Sequence, residues 1–128
     1  AIAADGSLVA PGSSGTIKLD WRSNKWTFIT DALTGQSESG HGTGFNALAT
    51  TLSAVPQILY GIGVYPQEPN GDYGSDDLYA INQGERIPVR GGSWFDTSYA
   101  GVFALNLRNV RSNASGVIGR RSAFVGSL

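Results

Sequence analysis

Apolar residues fall on every second position in Thr16-Ile17-Lys18-Leu19-Asp20-Trp21, and after Arg22-Ser23-Asn24 a second β-rich run follows, Lys25-Trp26-Thr27-Phe28-Ile29-Thr30. Period-two runs on either side of a short polar break predict a hairpin. Further along, Phe45, Leu48, Leu52, Val55 and Leu59 recur at spacings of 3, 4, 3 and 4. That rhythm places them on one face of a helix starting after Thr43 or Gly44. Pro56 has no amide hydrogen and its ring clashes with the carbonyl of Leu52, so the helix is expected to kink or stop near Val55, with a second short turn starting at Pro56. Strand-like pieces follow at 78–81 and 86–90 around Asn82-Gln83-Gly84-Glu85. Beyond Gly91 the apolar runs 101–107 and 117–124 alternate with small polar segments at 95–100 and 108–116. Few helices and many short strands predict an α+β or mainly β domain.

Between these runs the chain is rich in small residues. Residues 6–15, Gly-Ser-Leu-Val-Ala-Pro-Gly-Ser-Ser-Gly, have little to bury, so 1–15 reads as an N-terminal arm or linker and 16–128 as a single domain. Gly35, Gly40, Gly42 and Gly44 stand among Ser and Thr. A segment so poor in apolar groups does not repay the entropy of ordering, and 34–44 is expected to be a mobile loop. The 128 residues suit one domain, and Gly at 18 of them is about twice the ordinary ~7% share. The most apolar stretch, 52–66, is broken by Pro56, Gln57, Gly61 and Gly63 and falls short of a membrane span. The opening Ala1-Ile2-Ala3-Ala4-Asp5 has neither Met nor signal-peptide regions, as expected of a processed end or the cut edge of a longer protein.

Charge adds the next lead. The net charge is only −1, which points to neither a nucleic acid nor an acidic membrane surface as partner. Yet residues 1–85 carry nine acids and three bases, whereas 86–128 carry six Arg, no Lys and only Asp96. Arg86, Arg90, Arg108, Arg111, Arg120 and Arg121 lack the overall basic excess and interleaved aromatics of a nucleic-acid face, and the pI is about 5.7. Internal ion pairs with the acidic part, plus a recognition surface, fit them better.

Candidate catalytic groups are few. Cysteine and methionine are absent, which excludes disulfides, thiolate metal sites and cysteine catalysis. His41, the single histidine, lies between Gly40 and Gly42, where it reads as a solvated loop residue rather than a positioned general base. Ser-His and Cys-His nucleophile pairs therefore lack support, and no pair of carboxylates stands out. Glu68, Asp72, Asp76 and Asp77 offer oxygens to a hard cation but fit no EF-hand spacing, so a solvated acidic loop over 66–77 is expected. Glu68-Pro69-Asn70 resembles the calcium-and-sugar motif of mannose-type C-type lectins, without that family's downstream Trp-Asn-Asp or its disulfides. Asn113-Ala114-Ser115 matches the glycosylation acceptor pattern, a chance match where nothing indicates secretion.

A more specific likeness runs through the last third. Arg90-Gly91-Gly92-Ser93-Trp94, Ala100-Gly101-Val102-Phe103-Ala104-Leu105-Asn106-Leu107, Arg111-Ser112-Asn113-Ala114 and Ile118-Gly119-Arg120-Arg121-Ser122-Ala123-Phe124 together resemble the variable region of diversity-generating retroelement proteins. The upstream Tyr79-Ala80-Ile81-Asn82-Gln83-Gly84-Glu85-Arg86-Ile87-Pro88-Val89 resembles the lead-in of phage-borne members. One departure is Arg120, where the family usually has Ile-Gly-Phe-Arg.

The resemblance implies a C-type lectin-like α+β fold, with short antiparallel strands, one or two helices and a large fraction of loop, and a variable region over 91–124. It implies a binding protein without cofactors rather than an enzyme, since the enzyme branch of that fold, the formylglycine-generating enzymes, uses cysteines or copper. The implied partner is a protein or other surface macromolecule of a host or partner cell, met at a virion or cell surface. Nucleic-acid binding and membrane insertion are not implied, and an oligomer is compatible with it. The ligand face would be Phe95, Asp96, Tyr99, Asn106, Arg108, Asn109, Asn113, Ser115 and Val117, where the family's template codes for Asn. Trp94, Val102, Phe103, Leu105, Leu107 and Ile118 would lock the frame, with Gly91, Gly92, Gly101 and Gly119 permitting close approach or positive φ. Rewriting the adenines of an Asn codon never yields Lys, Glu, Gln or Met. These four total nine in residues 1–90 and none in 91–128. The rival expectation is a structural virion or scaffold component whose variable-looking loops are assembly contacts.

Overall fold

A computed structural model of the chain describes residues 1–36, 39–68, 70–84, 86–93 and 95–113. The hairpin forms as the alternation predicts. β1 (Lys18–Arg22) pairs antiparallel with β2 (Lys25–Ile29), from Lys18 opposite Ile29 to Arg22 opposite Lys25. Ser23 and Asn24 both have positive φ, 51° and 60°, the backbone that a two-residue turn needs to match the twist of its strands. The other strands are β3 (His41–Gly44), β4 (Ala49–Thr50), β5 (Asp77–Ala80), β6 (Ile87–Arg90) and β7 (Leu105–Asn109), with one short helix, α1 (Gln57–Gly61). They build two sheets, ordered β1-β2-β4 and β3-β5-β7-β6. The architecture is thus small and α+β-like, with mixed sheets, few helices and much loop. Strands are not uniformly antiparallel as expected: β2 with β4 and β5 with β7 run parallel. Parallel neighbours need a long crossover, and the one from β5 to β7 carries β6, which returns to the far side of β7.

Both sheets share one core. Trp26 and Phe28 from β2, Leu78 and Ala80 from β5 and Leu105 from β7 meet Phe45, Leu48, Leu59 and Tyr65. Trp26 couples the sheets directly: its amide donates to Thr43 Oγ1 and its indole Nε1 to the His41 carbonyl, each at 2.8 Å.

The long helix over 45–55 does not form. Phe45–Ala47 is a single 3₁₀ turn, Leu48 is extended, and Ala49 and Thr50 join the first sheet. The backbone has better partners elsewhere: the Thr51 amide, which a helix would bond to Ala47, donates to the Phe28 carbonyl at 3.0 Å, and Ala49 and Thr50 pair with β2. The hydroxyl of Thr50 accepts from the Leu52 amide at 3.0 Å, the kind of local bond by which Ser and Thr draw a chain out of a helix. The spacing nevertheless picks out the buried positions, because Phe45, Leu48 and Leu59 are core and Leu52 and Val55 pack against it. The short turn at Pro56 does form, as α1 with Pro56 at its N-cap.

Nor is 34–44 a featureless loop, since 41–44 is a strand paired with β5. His41 and Thr43 occupy its core side; Thr43 is buried and the His41 ring stacks on Trp21, with centroids 4.4 Å apart. His41 is therefore a packed residue rather than a solvated one. Two further expectations fail in the last third. Val102 is 81% and Phe103 40% exposed, because they lie in a turn before β7 and not on the strand; the Asp76 carboxylate pins that turn by accepting from the Phe103 amide at 2.9 Å. Leu105 and Leu107 do face inward, and Gly91 and Gly92 have positive φ, 88° and 73°. Trp94, Ile118, Gly119, Arg120 and the 117–124 run lie outside the described residues. Finally, Arg86 and Arg90 make no ion pair with the acidic part among the described residues: Arg86 donates to the Gln83 and Arg108 carbonyls, and Arg90 to those of Ile62 and Gly63. Main-chain carbonyls supply the acceptors that these guanidinium donors need. The arm 1–15 folds back on the domain, with Ile2 against the core and its carbonyl accepting from the Ile17 amide at 2.8 Å.

Candidate ligand-binding recess

Period two decides which side chains line the outer face of the second sheet. In β7, Leu105 and Leu107 point to the core, so Asn106 and Arg108 point outward. In β5, Leu78 and Ala80 are buried, so Asp77 and Tyr79 share that outer face. In β3 the outward positions are glycine. Tyr79 lies opposite Gly42 and Asp77 opposite Gly44 in register. A Cβ on Gly40 would run into the Tyr79 ring and one on Gly42 into the Asp77 carboxylate. The missing side chains are what let Tyr79 and Asp77 lie across the strand.

The β6–β7 connection raises the opposite wall. The Asp96 carboxylate accepts from the Ser93 amide at 2.7 Å and from its hydroxyl at 3.0 Å, which fixes the turn leading to the 3₁₀ segment Thr97–Tyr99. Gly92, at φ 73°, lets Ala100 approach so closely that a Cβ there would meet it at 2.7 Å. Between the sheet face and this connection lies a recess of about 540 Å³, lined by Gly42, Asp77, Tyr79, Leu105, Asn106 and Arg108 of the sheet and by Gly92, Asp96, Tyr99 and Ala104 of the connection. The volume falls within the ~300–1,000 Å³ of ordinary ligand pockets.

Its electrostatics are uneven. Two carboxylates, Asp77 and Asp96, face one guanidinium, and that of Arg108 sits over the Tyr79 ring, 5.9 Å from its centroid. Burial, together with the negative charges of Asp96 and Asp76, pushes the Asp77 carboxyl up from its ordinary value.

Of the positions expected to form a ligand face, Asp96, Tyr99, Asn106 and Arg108 come together here. Phe95 is 57% exposed beside them without lining the recess. Asn109 and Asn113 extend away as a hydrogen-bonded chain: Asn113 Nδ2 donates to Asn109 Oδ1 at 2.5 Å, and Asn109 Nδ2 to Asn106 Oδ1 at 3.3 Å. Ser115 and Val117 lie outside the described residues. The acidic loop disperses its carboxylates: Asp72 accepts from Gly74, Asp76 holds the Phe103 turn and Asp77 turns to the recess. Among the described residues no three acidic or histidine groups converge on a metal position.

Sequence reasoning missed Gly42, Asp77 and Tyr79 as part of the site. The signal was the alternation Gly40-His41-Gly42-Thr43-Gly44, which marks a strand with one bare face. Compared with known proteins, the chain matches no family model, and no curated protein matches it closely enough to count as a relative.

Proposed function

We propose that this chain is a ligand-binding, receptor-recognition protein with a C-type lectin-like fold, whose surface around the recess is diversified by retroelement-directed adenine mutagenesis. The observation that carries the reading is the separation of two sets of residues along one strand and its preceding loop. Asp96, Tyr99, Asn106 and Arg108, all at positions assigned to template Asn codons, line one recess, while the intervening Leu105 and Leu107 belong to the core. Residues on the first set can change without disturbing the second. Phe95 and Tyr99, 57% and 58% exposed, supply rigid contact area at low entropic cost, and Asp96 and Arg108 supply charge that selects a partner. Affinity then comes from a recess already formed before the ligand arrives.

The decisive test is genomic. A near-repeat of the codons for residues 91–124, differing mainly at adenines and lying beside a reverse transcriptase gene, is expected; its absence removes the diversified role. The split between face and frame is tested on the protein itself. Replacing Phe95, Tyr99 and Arg108 together by Ala should leave the melting temperature nearly unchanged, because exposed substitutions each stay within about 0.5 kcal/mol, and should remove partner binding. A large fall in melting temperature overturns the assignment of these residues to the face.

A further inference from the structure

The recess has two halves of different standing in the sequence. On the reading just proposed, which this inference rests on, the rewritten positions all lie beyond residue 91, among them Asp96, Tyr99, Asn106 and Arg108 of the recess, while Gly42, Asp77 and Tyr79 lie upstream and stay constant. We infer that this constant half is a standing anchor for a basic side chain, a lysine or arginine of a protein ligand, whose cationic head enters the recess between the Asp77 carboxylate and the Tyr79 ring.

Three observations support it. First, the Asp77 carboxylate lines the cavity with no hydrogen-bond donor and no cation paired to it among the described residues; its neighbours are Gly42, which brings no side chain, and the like charges of Asp76 and Asp96. A half-buried anion in that position is stabilised by a cation that comes to it from outside. Second, the face of Tyr79 already holds a guanidinium, that of Arg108 at 5.9 Å, so the ring is placed to receive a cation, and a ligand's cation takes the place of Arg108 there. Third, the sign of the recess discriminates: Asp77 and Asp96 outnumber Arg108, so phosphate, sulfate or a carboxylate ligand meets net repulsion. Every rewritten version of the face would then keep one constant contact of low specificity, while residues 96, 99, 106 and 108 choose among ligands that offer it.

The test uses the whole 128-residue chain, nitrogen-15 labelled, titrated at low ionic strength with Nα-acetyl-lysine methylamide. Nα-acetyl-norleucine methylamide, with the same four side-chain carbons and no ammonium group, is the control. Saturable amide shifts at Gly42, Asp77, Tyr79 and Asn106 are expected with the lysine probe only, weakening as salt is added. Asp77→Asn should weaken binding about tenfold, the weight of one charge-assisted hydrogen bond. Arg108→Gln should strengthen it by up to about fivefold, because a competing cation at the ring is removed. An equal response to the norleucine probe, unchanged affinity in Asp77→Asn, or loss of affinity in Arg108→Gln overturns the anchor. The comparison of the two probes on the unaltered chain needs no variant to fold. A template repeat without a lysine response sinks the anchor alone; a lysine response without a repeat keeps the anchor and removes its diversified setting.

Discussion

Replacing Asp20 by Ala should cost about 3–5 kcal/mol of folding stability, the usual result of removing one partner from a buried charged network. Asp20 sits in the middle of β1 with 0% of its surface exposed. Its carboxylate accepts from the Thr34 hydroxyl and the Gly35 amide at 2.7 Å, the Thr34 amide at 3.1 Å and Arg22 Nε at 2.5 Å. Alanine removes the acceptor that these four donors share and leaves Gly35 tied to β1 through the Trp21 amide alone, where a Cβ at 35 would overlap the Trp21 backbone. A domain of this size is held by about 5–15 kcal/mol in total, so the urea midpoint followed by tryptophan fluorescence should fall by about a fifth or more. A midpoint within a tenth of the wild-type value would refute this account of the network.

The same residue predicts how the protein responds to acid. Burial alone would raise the Asp20 carboxyl, but the hydrogen bonds from Thr34, Gly35 and Arg22 outweigh it and hold the group down to about 2 against an ordinary 3.8. A carboxyl depressed on folding stabilises the native state above its unfolded value, and that stabilisation is lost as pH falls from about 4 towards 2. The shift corresponds to about 2 kcal/mol. Urea midpoints of the wild type should therefore drop between pH 5 and pH 2 by more than those of Asp20→Asn, which has no carboxyl to protonate at that site.

Trp26→Ala should cost a comparable amount, about 3–5 kcal/mol for emptying a fully buried indole site. The ring lies edge-on to Trp21 at 5.0 Å, and its Nε1 donates the bond to the His41 carbonyl that couples the hairpin to β3; the backbone bond to Thr43 stays in the variant. Trp26→Phe separates the contributions, since it keeps most of the apolar area and leaves the His41 carbonyl without its donor, at about 1–3 kcal/mol. In both variants amide exchange at 41–44 should accelerate more than at 105–109, because β3 is an edge strand of its sheet and β7 an inner one. Uniform acceleration along both strands would mean that Trp26 does not join the sheets.

What was legible in the sequence was local. The hairpin was, because its alternation and its Ser23-Asn24 turn need nothing from the rest of the chain. The burial of Phe45, Leu48 and Leu59 was legible too, whereas their conformation was not: the Phe28 carbonyl captures the Thr51 amide that a helix would have used, and that partner is not near in sequence. Val102 and Phe103 look like strand residues until Asp76, more than two dozen positions upstream, fixes their turn. The recess was half legible. Asp96, Tyr99, Asn106 and Arg108 followed from the resemblance, but Asp77 and Tyr79 join them only through the register of β3 with β5 and the parallel pairing of β5 with β7. Asp20 was counted as one charge among ten because its partners, Thr34 and Gly35, lie in what reads as loop.

The bare outer face of β3 also sets the direction in which this pocket can be engineered. Where glycine lines the recess there is no side chain left to trim, so depth at position 42 can only be reduced. A methyl added there presses on the free end of Asp77, a carboxylate that can swing aside without moving backbone. Shallowing of the recess is thus available from a single substitution at 42, independent of whatever residues occupy the β6–β7 connection.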